Sequence, residues 1–184
     1  MLLTVRSLNL AFGPRVLFKD ASMLVQPRAR MGLVGPNGSG KTTLLKAAQE
    51  QLDEKTKATY IFNTSVTFEE ILTTALLDLR LKKSDESLSK TEAIDRLNKF
   101  AIEQLAAGRN VAFIIDEAQN LDTRSIENLR LLSNLETRKH KLIQLVIAGQ
   151  PELDAMLRRH DLRQLTQRIN LKRYVIPLSE KETK

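Results

Sequence analysis

"RMGLVGPNGSGKTTLLKAA", Arg30 to Ala48, decides the fold. Arg30 to Val34 is an apolar run of strand length, and Thr42 to Leu52 keeps Leu44, Leu45 and Ala48 on one helical face. Between them Gly35-Pro36-Asn37-Gly38-Ser39-Gly40-Lys41-Thr42 satisfies the spacing G-x-x-x-x-G-K-[ST]. Strand, glycine loop and helix in that order build an anion cradle: glycines let the backbone wrap closely, and amide N–H groups at a helix N-terminus face phosphate. Lys41 would reach the β- and γ-phosphates of a nucleotide, and the Thr42 hydroxyl would ligate Mg²⁺. Gly35 to Thr43 is thus the candidate nucleotide-binding set. The competing reading, a chance glycine turn before a helix, has to explain both flanking elements as coincidence.

Downstream, "NVAFIIDEAQ" (Asn110 to Gln119) is a continuous apolar run ending in two carboxylates. An Asp at the end of a buried strand holds magnesium through water, the role expected of Asp116; the adjacent Glu117 would point to the other side and orient an attacking water. Apart, such a run is a weak motif; following a phosphate loop, it is a strong one. Gln150 ends a second buried run, "KLIQLVIAGQ", which puts it on the same carboxyl edge as Asp116 and Glu117. There it is a candidate to sense the γ-phosphate, and equally a loop or capping Gln. Arg159, Arg163 and Arg168 lie beyond it; one of them, with Arg168 the candidate retained, could act as an arginine finger on a neighbouring subunit's nucleotide. For any single one, a solvated helix charge is the simpler account.

Strands and helices alternate along the chain. "LLTVRSLNL" and "ASMLVQP" read as strands parted by the turn signal Gly13-Pro14, and "TYIFN" as the strand after the first helix. Thr67-Phe68-Glu69-Glu70 fits a capping box, opening a helix with Phe68, Ile71, Leu72, Ala75, Leu76 and Leu79 on its apolar face. Lys90 to Ala107 reads as a second amphipathic helix stopped by Gly108, Ser125 to Glu136 as a third, and "RYVIPL" as the last strand. This order predicts an α/β fold: a three-layer α/β/α sandwich on a mainly parallel five-stranded sheet, preceded by antiparallel strands. At 184 residues the chain has the length of one domain.

Composition trims the alternatives. Cysteine is absent, which excludes disulfides, thiol chemistry and Cys-ligated zinc. His140 and His160 are isolated and expected to be solvated. No apolar run approaches the ~20 residues of a spanning helix, and Met1 to Asn9 lacks the layout of a secretory signal, so a soluble cytoplasmic protein is expected. The net charge of +7 suits nucleic acid, an anionic surface or a nucleotide equally. Aromatics make up 4%, too few for a stacking platform, so nucleic acid is the minor reading.

From Leu2 to about Ala48 the chain resembles the start of an ABC ATPase of the soluble ABC-F type. That resemblance implies adenine stacking on Phe12, the aromatic before the first Gly. Pro27-Arg28-Ala29 departs from the family's Pro-Gly-Glu, and no "LSGGQ" signature or switch His follows. From about Gln51 onward, "ATYIFNTSVTFEEIL", "AFIIDEAQNLD", "LRLLSNLET" and "IQLVIAGQPELDAML" resemble the AAA-type ATPase known as the general secretion pathway protein A component. This second resemblance implies Asp116 and Glu117 as the magnesium and catalytic pair and Gln150 near the sensor position. It also implies that a helical lid, which in that family follows the segment ending here near "PLSEKET", is missing. A splice of two P-loop branches, recombined or engineered, and a divergent natural protein both fit. Both branches are expected to set the phosphate-loop strand beside the Asp-Glu strand. The expected activity is binding of Mg·ATP with slow in-line hydrolysis; the alternatives are a nucleotide-binding module without turnover and a basic nucleic-acid-binding domain. Self-association is left open.

Overall fold

A computed structural model describes residues 3–12, 15–25, 30–52, 54–62, 66–138 and 140–176, and only the backbone of those before residue 30. Two strands, β1 (Leu3–Phe12) and β2 (Arg15–Val25), pair antiparallel as a separate sheet. The core sheet has five strands, all parallel, in the order β4-β5-β6-β3-β7. These are β3 (Arg30–Val34), β4 (Thr56–Ile61), β5 (Asn110–Ile115), β6 (Ile143–Gly149) and β7 (Leu171–Tyr174). Parallel strands need crossovers, supplied here by α1 (Lys41–Glu50), α2 (Phe68–Asp78), α3 (Lys90–Ala106), α4 (Thr123–Ser133), α5 (Pro151–Leu157) and α6 (Arg163–Thr166).

Period-two alternation in β5 and β6 sorts their side chains onto two faces. Val111, Phe113, Ile115, Ile143, Leu145 and Ile147 join the cluster under α2, α3 and α4, with Phe68, Ile71, Leu72 and Leu97. Ile114, Val146 and Ala148 join Met31, Leu33, Leu44 and Leu45 under α1. Both faces are therefore dry, which is why these strands read as unbroken apolar runs. The three-layer α/β/α architecture follows, as expected.

Caps fix the helix starts. The Thr67–Glu70 box is present, Thr67 N donating to Glu70 Oε2 at 2.7 Å and Glu70 N to Thr67 Oγ1 at 3.3 Å; Ser89 and Glu92 repeat it on α3. Gly108, at φ 69°, stands just past α3 as the stop signal requires. Asp122 caps α4 through the amide of Ser125, so that helix starts at Thr123, ahead of the expected Ser125, and ends at Ser133. Glu136 lies instead in a bridge to Lys141.

Two further expectations are corrected. The last strand is Leu171–Tyr174, starting two residues ahead of "RYVIPL", whose last two residues lie outside the described ones; Asn170 N donates to Arg30 O just before it and starts the pairing there. The strand before the glycine loop does not neighbour the Asp-Glu strand: β6 stands between β3 and β5. Among the described residues no helix is long and apolar enough to cross a membrane.

Candidate nucleotide site at the carboxyl edge

Since β3, β5 and β6 run parallel, their carboxyl ends share one edge of the sheet, and the loops leaving them converge. Gly35 N donates to Gly149 O at 3.1 Å, which ties the glycine loop to the end of β6. Val175 N donates to Val34 O at 2.7 Å, which closes β7 over the other side. The loop has no room to spare: a Cβ on Gly35 would lie 2.5 Å from Val175 O and 2.8 Å from Ser39 Oγ.

Gly38 and Gly40 turn the loop at φ 73° and 88°, conformations costly for other residues. Gly40 is also the N-cap of α1, and no side chain caps the helix or puts an acid in its first turn. The positive end of α1 is left to whatever occupies the loop. Ser39 Oγ is buried with no hydrogen-bond partner among the described residues, whereas Pro36, Asn37 and Gly38 are exposed. Lys41 is 4% exposed and donates to Gly35 O at 2.6 Å and Pro36 O at 3.0 Å, folding its ammonium back over the loop. An orphaned hydroxyl, a bare helix terminus and a cation within one loop fit an oxyanion such as a phosphate chain. Thr43 follows in the first turn of α1, half-buried.

Asp116 is fully buried. Its Oδ2 accepts from Thr42 Oγ1 at 2.6 Å and from Tyr60 OH at 2.9 Å, and its Oδ1 accepts from the Glu117 amide at 2.9 Å. Burial, with Asp116 and Glu117 as further causes, pushes the Tyr60 hydroxyl well above its ordinary pKa, so it stays a donor. Glu117 sits in the left-handed region at φ 53°, a strain on the order of 1 kcal/mol for a residue with a side chain. That turn sends two adjacent carboxylates to different places. Glu117 Oε2 accepts from Gln119 Nε2 at 2.7 Å and Gln150 Nε2 at 3.4 Å, and Gln119 Oε1 accepts from the Gln150 amide at 2.9 Å. Gln150 is the N-cap residue of α5 by backbone, yet its side chain makes no cap bond and turns to Glu117 instead.

Of the residues marked in the sequence, Gly35 to Thr43, Asp116, Glu117 and Gln150 thus share one edge. Arg168 is not brought to them: it precedes β7 at the opposite, amino edge, where its charge lowers the pKa of Arg30 after burial, and that of Lys141 after burial and Arg30. Arg159 is paired with Asp161, Arg163 is exposed at the start of α6, and the Phe12 side chain lies outside the described residues. His160 is exposed, but His140 is half-buried, contrary to expectation. Sequence reasoning missed Tyr60 and Gln119. Only the parallel register Ile61↔Ile115 puts the end of β4 level with Asp116; Gln119 carried a signal, its spacing of two from Glu117.

A family model described as AAA domain matches residues 27–157. General secretion pathway protein A of Aeromonas hydrophila is 40% identical over 150 residues, 82% of this chain and 27% of that protein. Zinc import ATP-binding protein ZnuC 2 of Hahella chejuensis is 51% identical over 47 residues, 26% of this chain and 19% of that protein. The chain therefore spans less than a third of either relative. In fold it is similar to the Aeropyrum pernix ORC2 protein solved in ADPNP-ADP complexes, with a TM-score of 0.64 at 18% identity over 84% of this chain and 43% of that one. With a matched model across the glycine loop, the Asp-Glu strand and β6, the chain belongs to the AAA domain family.

Proposed function

We propose that the chain binds Mg·ATP at the carboxyl edge of its sheet and hydrolyses it slowly, as one P-loop domain spanning residues 1–184. One observation carries this reading: the Thr42 hydroxyl lies 2.6 Å from the buried Asp116 carboxylate, so the glycine loop and the Asp-Glu strand close on a common point. The donors there are oxygens only, a hydroxyl and a carboxylate, and suit a hard cation that takes its remaining ligands from water and phosphates. Thr42 and Asp116 would hold the magnesium, which would supply positive charge to offset that of the phosphates.

In this reading Gly35 to Gly40 and the first amides of α1 hold the phosphate chain, with Thr43 beside them. Lys41 exchanges the carbonyls of Gly35 and Pro36 for phosphate oxygens. Glu117, steadied by Gln119 and Gln150, accepts a proton from the attacking water, and Gln150 is near enough to register the γ-phosphate. Phe12 stacks on adenine, and Arg168 acts only on a neighbouring copy's nucleotide, which ties its role to self-association in the cytoplasm. Phosphoryl transfer is chiefly positioning and electrostatics, so a site without a trans-acting cation runs orders of magnitude below an assembled one.

We further propose that residues 1–50 and 51–184 descend from different P-loop branches, ABC-like and AAA-like, joined through α1 by recombination or design. The misfit of Arg30 supports the joint. It is 1% exposed, donates to Ser133 O at the end of α4 and leaves its Nε unpartnered; burial first and Arg168 second lower its pKa. The family match across the joint is compatible with this, since either parent's glycine loop follows the same pattern.

Steady-state Mg·ATP hydrolysis by the purified chain, beside Glu117→Gln, tests the activity. Turnover that disappears in the variant is expected. Equal rates in the two would leave a nucleotide-binding module without turnover.

A further inference from the structure

The pair Thr42–Asp116 does not stand alone. Asp116 Oδ2 also accepts from Tyr60 OH at 2.9 Å, and Tyr60 stacks on Phe62 with ring centroids 6.5 Å apart and planes inclined by 15°. The ammonium of Lys46 lies 5.8 Å from the centre of the Phe62 ring. Lys46 is one helical turn beyond Thr42 on α1. These contacts close a ring: Thr42 to Asp116, Asp116 to Tyr60, Tyr60 to Phe62, Phe62 to Lys46, and back along α1 to Thr42. It links α1, β4 and β5, although β6 separates β3, the strand that leads into α1, from β5 in the sheet.

A carboxylate at the end of a strand can still rotate about its last bond. Thr42 fixes one direction, and it is the group that a metal would engage. Tyr60 donates to the same Oδ2 from β4, while the Glu117 amide holds Oδ1, so the carboxylate is pinned from three elements of the chain. Phe62 is 56% exposed, an unusual position for a large apolar ring, and its contact with Tyr60 gives that exposure a use.

We propose that Tyr60 is a positioning residue that sets the affinity for the divalent cation of the bound nucleotide, by holding Asp116 in its metal-accepting orientation. The inference rests on the assignment of Thr42 and Asp116 above. Tyr60 contributes nothing to the grip on the phosphates, which belongs to the loop and Lys41. Its loss is therefore felt only when the cation is present. The ring through Phe62 and Lys46 holds the tyrosine, so removing Phe62 weakens the same property in the same direction, but less.

The experiment follows binding of a fluorescent ATP analogue to wild type, Tyr60→Phe and Phe62→Ala during titration with MgCl₂, with a parallel set in EDTA and a thermal melt of each protein. Tyr60→Phe is expected to raise the half-saturating Mg²⁺ concentration about tenfold, the scale of one hydrogen bond to a charged acceptor. Binding in EDTA should stay within about twofold of wild type, and Phe62→Ala should give a smaller shift of the same sign. An unchanged Mg²⁺ requirement in Tyr60→Phe, with magnesium still strengthening binding to wild type, overturns the role of Tyr60 and leaves the metal reading standing. Equal losses with and without Mg²⁺ also overturn it, since they mark a structural effect. Wild-type binding indifferent to Mg²⁺ removes the metal assignment itself, and this inference with it.

Discussion

Replacing Gly35 by alanine should cost the domain more than any strain at that residue alone, because the obstacle is backbone. The new Cβ would lie 2.5 Å from Val175 O, 2.8 Å from Ser39 Oγ and 3.2 Å from Val175 Cβ. Ordinary contact needs roughly 3.4 Å or more, so the end of β7 would have to withdraw by close to an ångström. Withdrawal breaks the 2.7 Å bond from Val175 N to Val34 O, worth about 1 kcal/mol, and overpacking adds about 1–3 kcal/mol. The sum is about 2–4 kcal/mol, or about 4–16 °C in melting temperature for a domain of this length. Gly108→Ala is the matched control. Gly108 has φ 69° and no atom within 4 Å of its would-be Cβ, so the only cost there is conformational strain of about 1–2 kcal/mol. Thermal melts of the three proteins, with and without nucleotide, make the comparison. Gly35→Ala should melt below Gly108→Ala and lose most of its stabilisation by nucleotide. A Gly35→Ala protein that melts with Gly108→Ala would refute the close approach of β7 to the loop.

Other perturbations separate the remaining claims. Lys41→Met keeps the buried stem and removes the ammonium; nucleotide should bind at least about tenfold more weakly by calorimetry, the scale of one charge-assisted bond, and unchanged affinity would remove Lys41 from the site. Arg30→Met removes a buried cation whose burial and nearby Arg168 outweigh the attraction of Glu136, so the melting temperature should rise; a fall of more than about 2 °C would show that the bond to Ser133 O and the pull of Glu136 outweigh the misfit. Asp154 is buried and its pKa is lowered, chiefly by the hydrogen bond from Lys172 and then that from Arg158. A lowered carboxylate pKa stabilises the fold fully above the unfolded value near 3.8, and the gain is lost as pH falls through the folded value. Asp154→Asn should thus cost about 1–3 kcal/mol in urea unfolding at pH 7, with the gap to wild type closing only below about pH 4. A gap of the same size at pH 7 and pH 3 would refute that assignment.

What the sequence made legible is what depends on neighbours along the chain. The glycine spacing, the apolar runs of β5 and β6, the Thr67–Glu70 box and the stop at Gly108 are all decided within a few residues, and each appears where the pattern put it. What it hid depends on pairing between distant segments. The start of β7 was misplaced because Asn170 bonds Arg30, 140 residues away. Tyr60 reads only as part of the strand run "TYIFN", and its role exists only because β4 lies in register with β5.

Strand order carries the largest consequence. Had β3 and β5 been neighbours, their ends would lie about 4.8 Å apart, leaving no strand end between the glycine loop and the Asp-Glu pair. With β6 between them the spacing doubles to roughly 9.6 Å, and two things follow. Gln150, at the end of the inserted strand, falls beside Glu117 rather than at the margin of the site. Contact between the loop side and Asp116 cannot then run strand to strand, and it is made by Thr42 from the first turn of α1. The error in strand order and the convergence of the site thus have one cause. The strand that separates the two motifs is also the strand that brings the third residue between them.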